Sequence, residues 1–180
     1  MRLFVGIPLG QTLTEAVEAL QSDLPFGRIV PAENLHVTLA FLDDLTPDMS
    51  AQVHAVLEDV RGVPLALELN GVEIRGGRKP RLVWTNADGG AALKSLRAQV
   101  RSAVRAAGVA LPRERFRPHV TLARFSAGSA AQEAHRLAWF AQDHGLFRAG
   151  PEPVTRFCLY RSSLQPDGPV YDELAEYPLR

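Results

Sequence analysis

The pentapeptide His-Val-Thr-Leu-Ala occurs twice, at residues 36–40 within "ENLHVTLAFL" and at residues 119–123 within "RPHVTLARF". In a chain of 180 residues such a repeat asks for two copies of one structural unit, close to half the chain apart. Side chains alternate along a strand, so His36, Thr38 and Ala40 share one face and Leu35, Val37 and Leu39 the other. The second copy divides in the same way, His119, Thr121 and Ala123 against Pro118, Val120 and Leu122. One face is core. The other carries an imidazole, a hydroxyl and a methyl group small enough to leave room above it. A lone histidine on a half-exposed strand is ordinarily structural. Packing explains a repeated Val and Leu, but it does not require the same His and Thr on the polar face both times, so the duplication points to function.

The segments around the repeats alternate between strand and helix patterns. "RLFVGIPL" is a buried strand that stops at Pro8, and Leu13, Val17, Leu20 and Leu24 then recur at helical spacing. A helix follows the first repeat, with Thr46 as its cap, Pro47 in its first turn and Val53, Val56, Leu57 and Val60 as its stripe. "PLALELNGVEI" and "LVWTNA" are strands, and a long helix spans about Asp88 to Ala107, ended by Gly108. A short helix lies within "GSAAQEAHRLAWFAQDHG", and "PVTRFCLYRSSL", "QPDGP" and "VYDELAEYPL" form a closing hairpin. The expectation is an α+β fold: one domain over 1–180, made of two similar lobes that face each other, with one His-x-Thr strand in each.

Several classes are disfavoured. Basic and acidic residues balance at 20 each, so the bulk positive charge of a nucleic-acid binder is missing and any such role rests on a local patch. The single cysteine, Cys158, lies among apolar neighbours and cannot make an internal disulfide, which suits a buried, inert thiol and a reducing compartment. With no signal-peptide pattern and no long apolar run, a cytoplasmic location away from membranes is expected. No Gly-rich phosphate loop, nucleophile elbow or His-Glu-x-x-His metal motif is present. His54, His135 and His144 fall on helix surfaces.

Two histidines meeting between lobes can transfer protons from two sides, one neutral and accepting, the other charged and donating. In-line hydrolysis of a phosphodiester needs that pair, and two threonine hydroxyls are suited to the non-bridging phosphate oxygens. No metal is required.

With these residues in view, the chain resembles the two-histidine (2H) phosphoesterases, and within them the bacterial and archaeal RNA 2′,3′-cyclic phosphodiesterases of the LigT type, formerly called 2′-5′ RNA ligases. The likeness runs through "RLFVGIPL", "GRIVPAENLHVTLAFLDDL", "RKPRLVW", "FRPHVTLAR" and "FCLYRSSLQPDGPVYDELAEYPL". It departs at "LDDL", which is more acidic than the corresponding family segment. The resemblance implies a bilobal LigT-like fold whose antiparallel sheets line a central cleft with helices outside, one His-x-Thr-x motif at 36–39 and the other at 119–122. It implies His36 as proton donor to the leaving 3′ oxygen and His119 as the base that activates water; the spacing alone does not decide between them. It also implies phosphate contacts from Thr38, Thr121 and Arg124, a base-stacking role for Phe41, an RNA end as partner, and no cofactor or metal. Strict alternation, however, puts Phe41 and Arg124 on the face opposite the histidines, from which they reach a cleft only if the strand ends or bulges. The expected protein is a monomer that opens 2′,3′-cyclic RNA ends to 2′-phosphates; joining RNA ends 2′-5′, or silent RNA binding, are the alternatives. The basic run at 75–81 and Arg113, Arg115 and Arg117 form a candidate positive rim, and Tyr160 and Arg161 are further candidates for the cleft.

Overall fold

The computed structural model describes residues 1–77, 79–126, 133–166 and 168–180. Arg78 of the basic run, the start of the segment 128–145, and Asp167 of the closing turn lie outside the described residues. The strands are β1 (Arg2–Pro8), β2 (Arg28–Ile29), β3 (His36–Asp44), β4 (Leu65–Arg75), β5 (Leu82–Asp88), β6 (His119–Arg124), β7 (Arg148–Val154), β8 (Arg156–Gln165) and β9 (Gly168–Pro178). The helices are α1 (Gln11–Ser22), α2 (Pro47–Glu58), α3 (Gly90–Ala106) and α4 (Ala134–Asp143). Thr46 caps α2 by accepting from the Met49 amide at 3.2 Å, and Gly108, at φ 92°, turns the chain out of α3.

All pairings are antiparallel and fall into two sheets, β3-β1-β8-β9 and β2-β6-β5-β4-β7. The fold is α+β with two lobes, as expected, but the lobes are not the two halves of the chain. The first sheet takes β1 and β3 from the start and the β8–β9 hairpin from the end. The helices are exchanged as well. α1 follows a strand of the first sheet yet packs on β6 and β7 of the second, while α3 follows β5 of the second sheet and packs on β3 of the first. Glu152 of β7 fixes the exchange chemically: its carboxylate accepts from the Thr12 and Leu13 amides at 2.9 and 3.3 Å, placing negative charge on the amino end of α1.

Both repeat strands contain a β-bulge at the same place. Gly6 opposes Thr38 and Val5 opposes Ala40, leaving Leu39 extra; Trp84 opposes Thr121 and Val83 opposes Ala123, leaving Leu122 extra. A bulge advances the chain by one residue without changing face. The alanines therefore do not floor the polar face as simple alternation predicts. Ala40 and Ala123 are buried in the core beside Leu39 and Leu122, all at 1% exposure or less. The Leu122 carbonyl faces the β2 side, where it accepts from the Val30 amide and from buried Gln21 of the exchanged helix α1, each at 2.9 Å.

Candidate active site

β3 and β6 run against each other where the two lobes meet, which brings the repeats together. The bulges carry Phe41 and Arg124 round to the polar side, where Phe41 is 59% exposed. Phe41 lines a cavity of about 220 Å³ with Thr38, Trp84 and His119. Arg124 lines a second cavity of about 390 Å³ with Arg28, Asn34 and Tyr171. His36 lies between the two cavities, since Asn34 before it borders one and Thr38 after it borders the other. A cavity of about 560 Å³ against α4, lined by Asp23, Trp139, Phe140 and His144, lies apart from these residues.

Each imidazole is held by the backbone two residues earlier. His36 Nδ1 is 2.7 Å from the Asn34 carbonyl, and His119 Nδ1 is 2.7 Å from the Arg117 carbonyl. A carbonyl only accepts, so Nδ1–H is the donor in both rings and Nε2 is left to exchange a proton. His36 Nε2 lies 3.0 Å from Thr38 Oγ1, so the hydroxyl donates to the neutral ring.

The rings rest on different supports. His36 packs against Phe4 at 4.7 Å between centroids and against the edge of Tyr171 at 5.3 Å. Gly6 makes room for it, because a Cβ there would come within 3.2 Å of His36 Cδ2 and of the Val37 carbonyl. In the second lobe Trp84 occupies the place of Gly6, and His119 stacks on its indole at 4.0 Å. Arg75 lies over the same indole at 4.5 Å and is paired with Glu73 at 3.4 Å.

Burial pulls the His36 pKa down to about 4, and the nearby positive charges of His119 and Arg124 pull the same way against the Asn34 carbonyl. Burial also lowers the pKa of His119, with Arg75 and Arg124 adding to it. Both rings are therefore neutral at pH 7 with no anion between them. The consequence for stability has a definite sign. The unfolded chain binds a proton at His36 near pH 6.5 and the folded chain only near 4, so stability is full above 6.5 and falls as pH drops towards 4. For His36 alone the loss is roughly 3 kcal/mol. Urea midpoints measured from pH 7 to 4 are expected to fall more steeply for the wild type than for His36→Gln; parallel curves would remove this assignment.

Some residues outside the repeats belong to this region. Phe4, Tyr171 and Trp84 carry the rings, and Gly6 inside an apolar strand was the signal that a side chain crosses there. Tyr160 stacks behind Phe4 at 4.9 Å, whereas Arg161 is engaged with Asp172 at 2.9 Å. Of the basic run, Arg75 reaches the indole while Lys79 and Arg81 are exposed. Cys158 is fully buried and its thiol is pushed up to about 12 by burial. His54 is not a bare surface residue, since its Nδ1 lies 2.8 Å from the Tyr177 hydroxyl; His144 pairs with Asp23 at 3.3 Å. Among the described residues no helix is long and apolar enough to cross a membrane, and no group of three His, Cys, Asp or Glu side chains could hold a metal ion.

Two antiparallel sheets that each present a His-x-Thr strand to a shared cleft define the class: the chain belongs to the 2′-5′ RNA ligase superfamily, whose family model matches residues 10–165. A Geobacillus stearothermophilus protein described as an RNA 2′,3′-cyclic phosphodiesterase is 33% identical over 98% of this chain, which spans 56% of that relative's length. An Aeropyrum pernix protein of the same description is 30% identical over 83% of this chain and 84% of its own. Among solved structures, E. coli LigT complexed with 3′-AMP is 26% identical with a TM-score of 0.76, covering 99% of this chain and 97% of that one.

Proposed function

We propose that this protein opens 2′,3′-cyclic phosphate ends of RNA to 2′-phosphomonoesters by acid–base catalysis between His36 and His119, without a metal. The observation that carries the reading is the matched pair of imidazoles, one from each sheet, with Nδ1–H held 2.7 Å from a backbone carbonyl and Nε2 left for proton transfer. The relatives' described activity supplies the substrate class.

His119 Nε2 takes a proton from water as its oxygen attacks phosphorus. The bond from phosphorus to the 3′ oxygen breaks, and His36 Nε2 gives that oxygen a proton. Thr38, Thr121 and Arg124 hold the non-bridging oxygens. A neutral His36 cannot act as the acid, so the phosphate itself must raise its pKa on arrival: an anion beside a buried imidazole favours the charged ring. Thr38 then turns its hydroxyl from Nε2 to a phosphate oxygen, which leaves the Nε2–H for the 3′ oxygen. This gives a kinetic signature. The pH optimum of kcat, which reports the bound complex, is expected on the alkaline side of the optimum of kcat/KM, which reports the free enzyme. Coincident optima would argue against phosphate-driven protonation of His36.

The direct test uses end-labelled RNA bearing a terminal cyclic phosphate, incubated with the protein in the presence of a chelator. A 2′-phosphate product is expected. A 3′-phosphate would reverse the leaving group, dependence on added metal would remove the metal-free mechanism, and 2′-5′ joined strands would identify ligation instead.

A further inference from the structure

Both cavities beside the imidazoles carry arginines, and in the one that Arg124 lines a second cation, Arg28, has no part in the reaction above. We propose that this 390 Å³ cavity is a subsite for the nucleotide on the 5′ side of the reacting RNA end, with Arg28 holding the phosphodiester that links it to the terminal ribose. The proposal rests on the reading of the substrate given above.

Three observations lead to it. Arg28 and Arg124 stand directly opposite each other in the β2–β6 pair. Like charges placed this way repel, and among the described residues neither guanidinium is paired with a carboxylate: Arg28 has only the Pro166 carbonyl, at 3.4 Å. Such a pair at the lip of a cavity forms a ready anion site. Glu33 is the one carboxylate on the described lining, and it is exposed.

The walls suit a base as well as a phosphate. Ile29 and Val170 face the cavity at 46% exposure each, with Pro166 and Tyr171 beside them, offering apolar surface of the kind on which bases rest. Asn34, 5% exposed, supports this wall by donating to the Pro169 carbonyl at 2.8 Å, and its Oδ1 has no hydrogen-bond partner.

The cavity on the Phe41 side is basic as well, lined by Arg115 and Arg117 besides Arg97, which is held by Glu114 at 3.0 Å, but its exposed Phe41 suits it to the terminal base. With the terminal base on the Phe41 side, the cavity at Arg28, beyond His36, is open to the preceding nucleotide.

The test compares a mononucleoside 2′,3′-cyclic phosphate with a dinucleotide ending in the same group. The wild type is expected to favour the dinucleotide in kcat/KM by about tenfold, a gain of the size one charge-assisted phosphate contact supplies. Arg28→Gln is expected to lower that ratio about tenfold and Arg28→Lys to restore part of it. Equal turnover of the two substrates by the wild type, or an unchanged ratio in Arg28→Gln, would overturn the subsite. So would a ratio that responds to Arg115→Gln instead, which would send the chain past the Phe41 side. Binding of the dinucleotide 2′-phosphate, titrated against salt, is the second measurement. Arg28→Gln is expected to weaken it and to reduce the salt slope by about 0.7, the share of one single-strand phosphate. Because binding needs no turnover, an enzyme inactive on both cyclic substrates would defeat the proposed reaction while this measurement still decides the subsite.

Discussion

Replacing either imidazole with a methyl group, His36→Ala or His119→Ala, is expected to lower kcat on a cyclic-phosphate RNA end by about a hundred- to ten-thousand-fold, with KM moved far less. The double variant is expected to fall little below the weaker single one, since an acid and a base working in one transition state act as a unit. The two roles can be separated by the leaving group. An aryl phosphodiester departs without needing a proton, so it should recover much of the rate lost in His36→Ala and none of that lost in His119→Ala. Recovery in the opposite variant would exchange the assignments. Survival of turnover in both single variants would end the acid–base account altogether. Circular dichroism of each variant checks that the sheets persist, and His36→Ala is expected to keep them, because the ring sits over Phe4 on the cleft side rather than among the main core residues.

Leu39→Ala is the second large effect. Leu39 is the extra residue of the first bulge and is 1% exposed within the main core. Truncating a leucine in such a place costs about 2–5 kcal/mol, set by how far the surroundings collapse. The urea midpoint is expected to fall by the corresponding amount with the slope of the transition unchanged. Activity carries the second half of the prediction. A bulge that relaxes to a regular ladder turns Phe41 back towards the interior, so KM for a nucleotide stacked on Phe41 should rise as stability falls. A variant as stable as the wild type would mean that the strand is regular and Leu39 is not packed where the fold puts it.

The bulges mark the boundary of what the sequence discloses. His36, Thr38, His119 and Thr121 were legible because alternation holds from the start of each strand as far as the threonine. Beyond it a period of two misplaces everything: Ala40 and Ala123 go from floor to core, and Phe41 and Arg124 from core to cleft. Nothing local in Val-Thr-Leu-Ala announces the extra residue, because Leu and Ala fit a regular strand equally well. The long helices and Thr46 were legible from periodicity and capping chemistry. The edge strand β7 was not: Pro153 and Val154 read as the start of the closing hairpin, whereas they end β7 in the second sheet and β8 begins at Arg156 in the first, an edge tolerating the prolines. Nor was the pairing of β1 with β8, which joins the two ends of the chain through contacts that no window of sequence contains.

The crossing of α1 and α3 has a mechanical consequence. Each half of the polypeptide clasps the other: α1 is pinned by Glu152 at its first turn and by Gln21, bound to the Leu122 carbonyl, at its last. Prising the jaws apart would mean dragging a helix off the opposite sheet and breaking both attachments. Among the described residues, the seating of the two sheets is accordingly tied by these bonds into the framework of the fold. Under the proposed reaction the two imidazoles would meet their substrate from jaws already braced against each other.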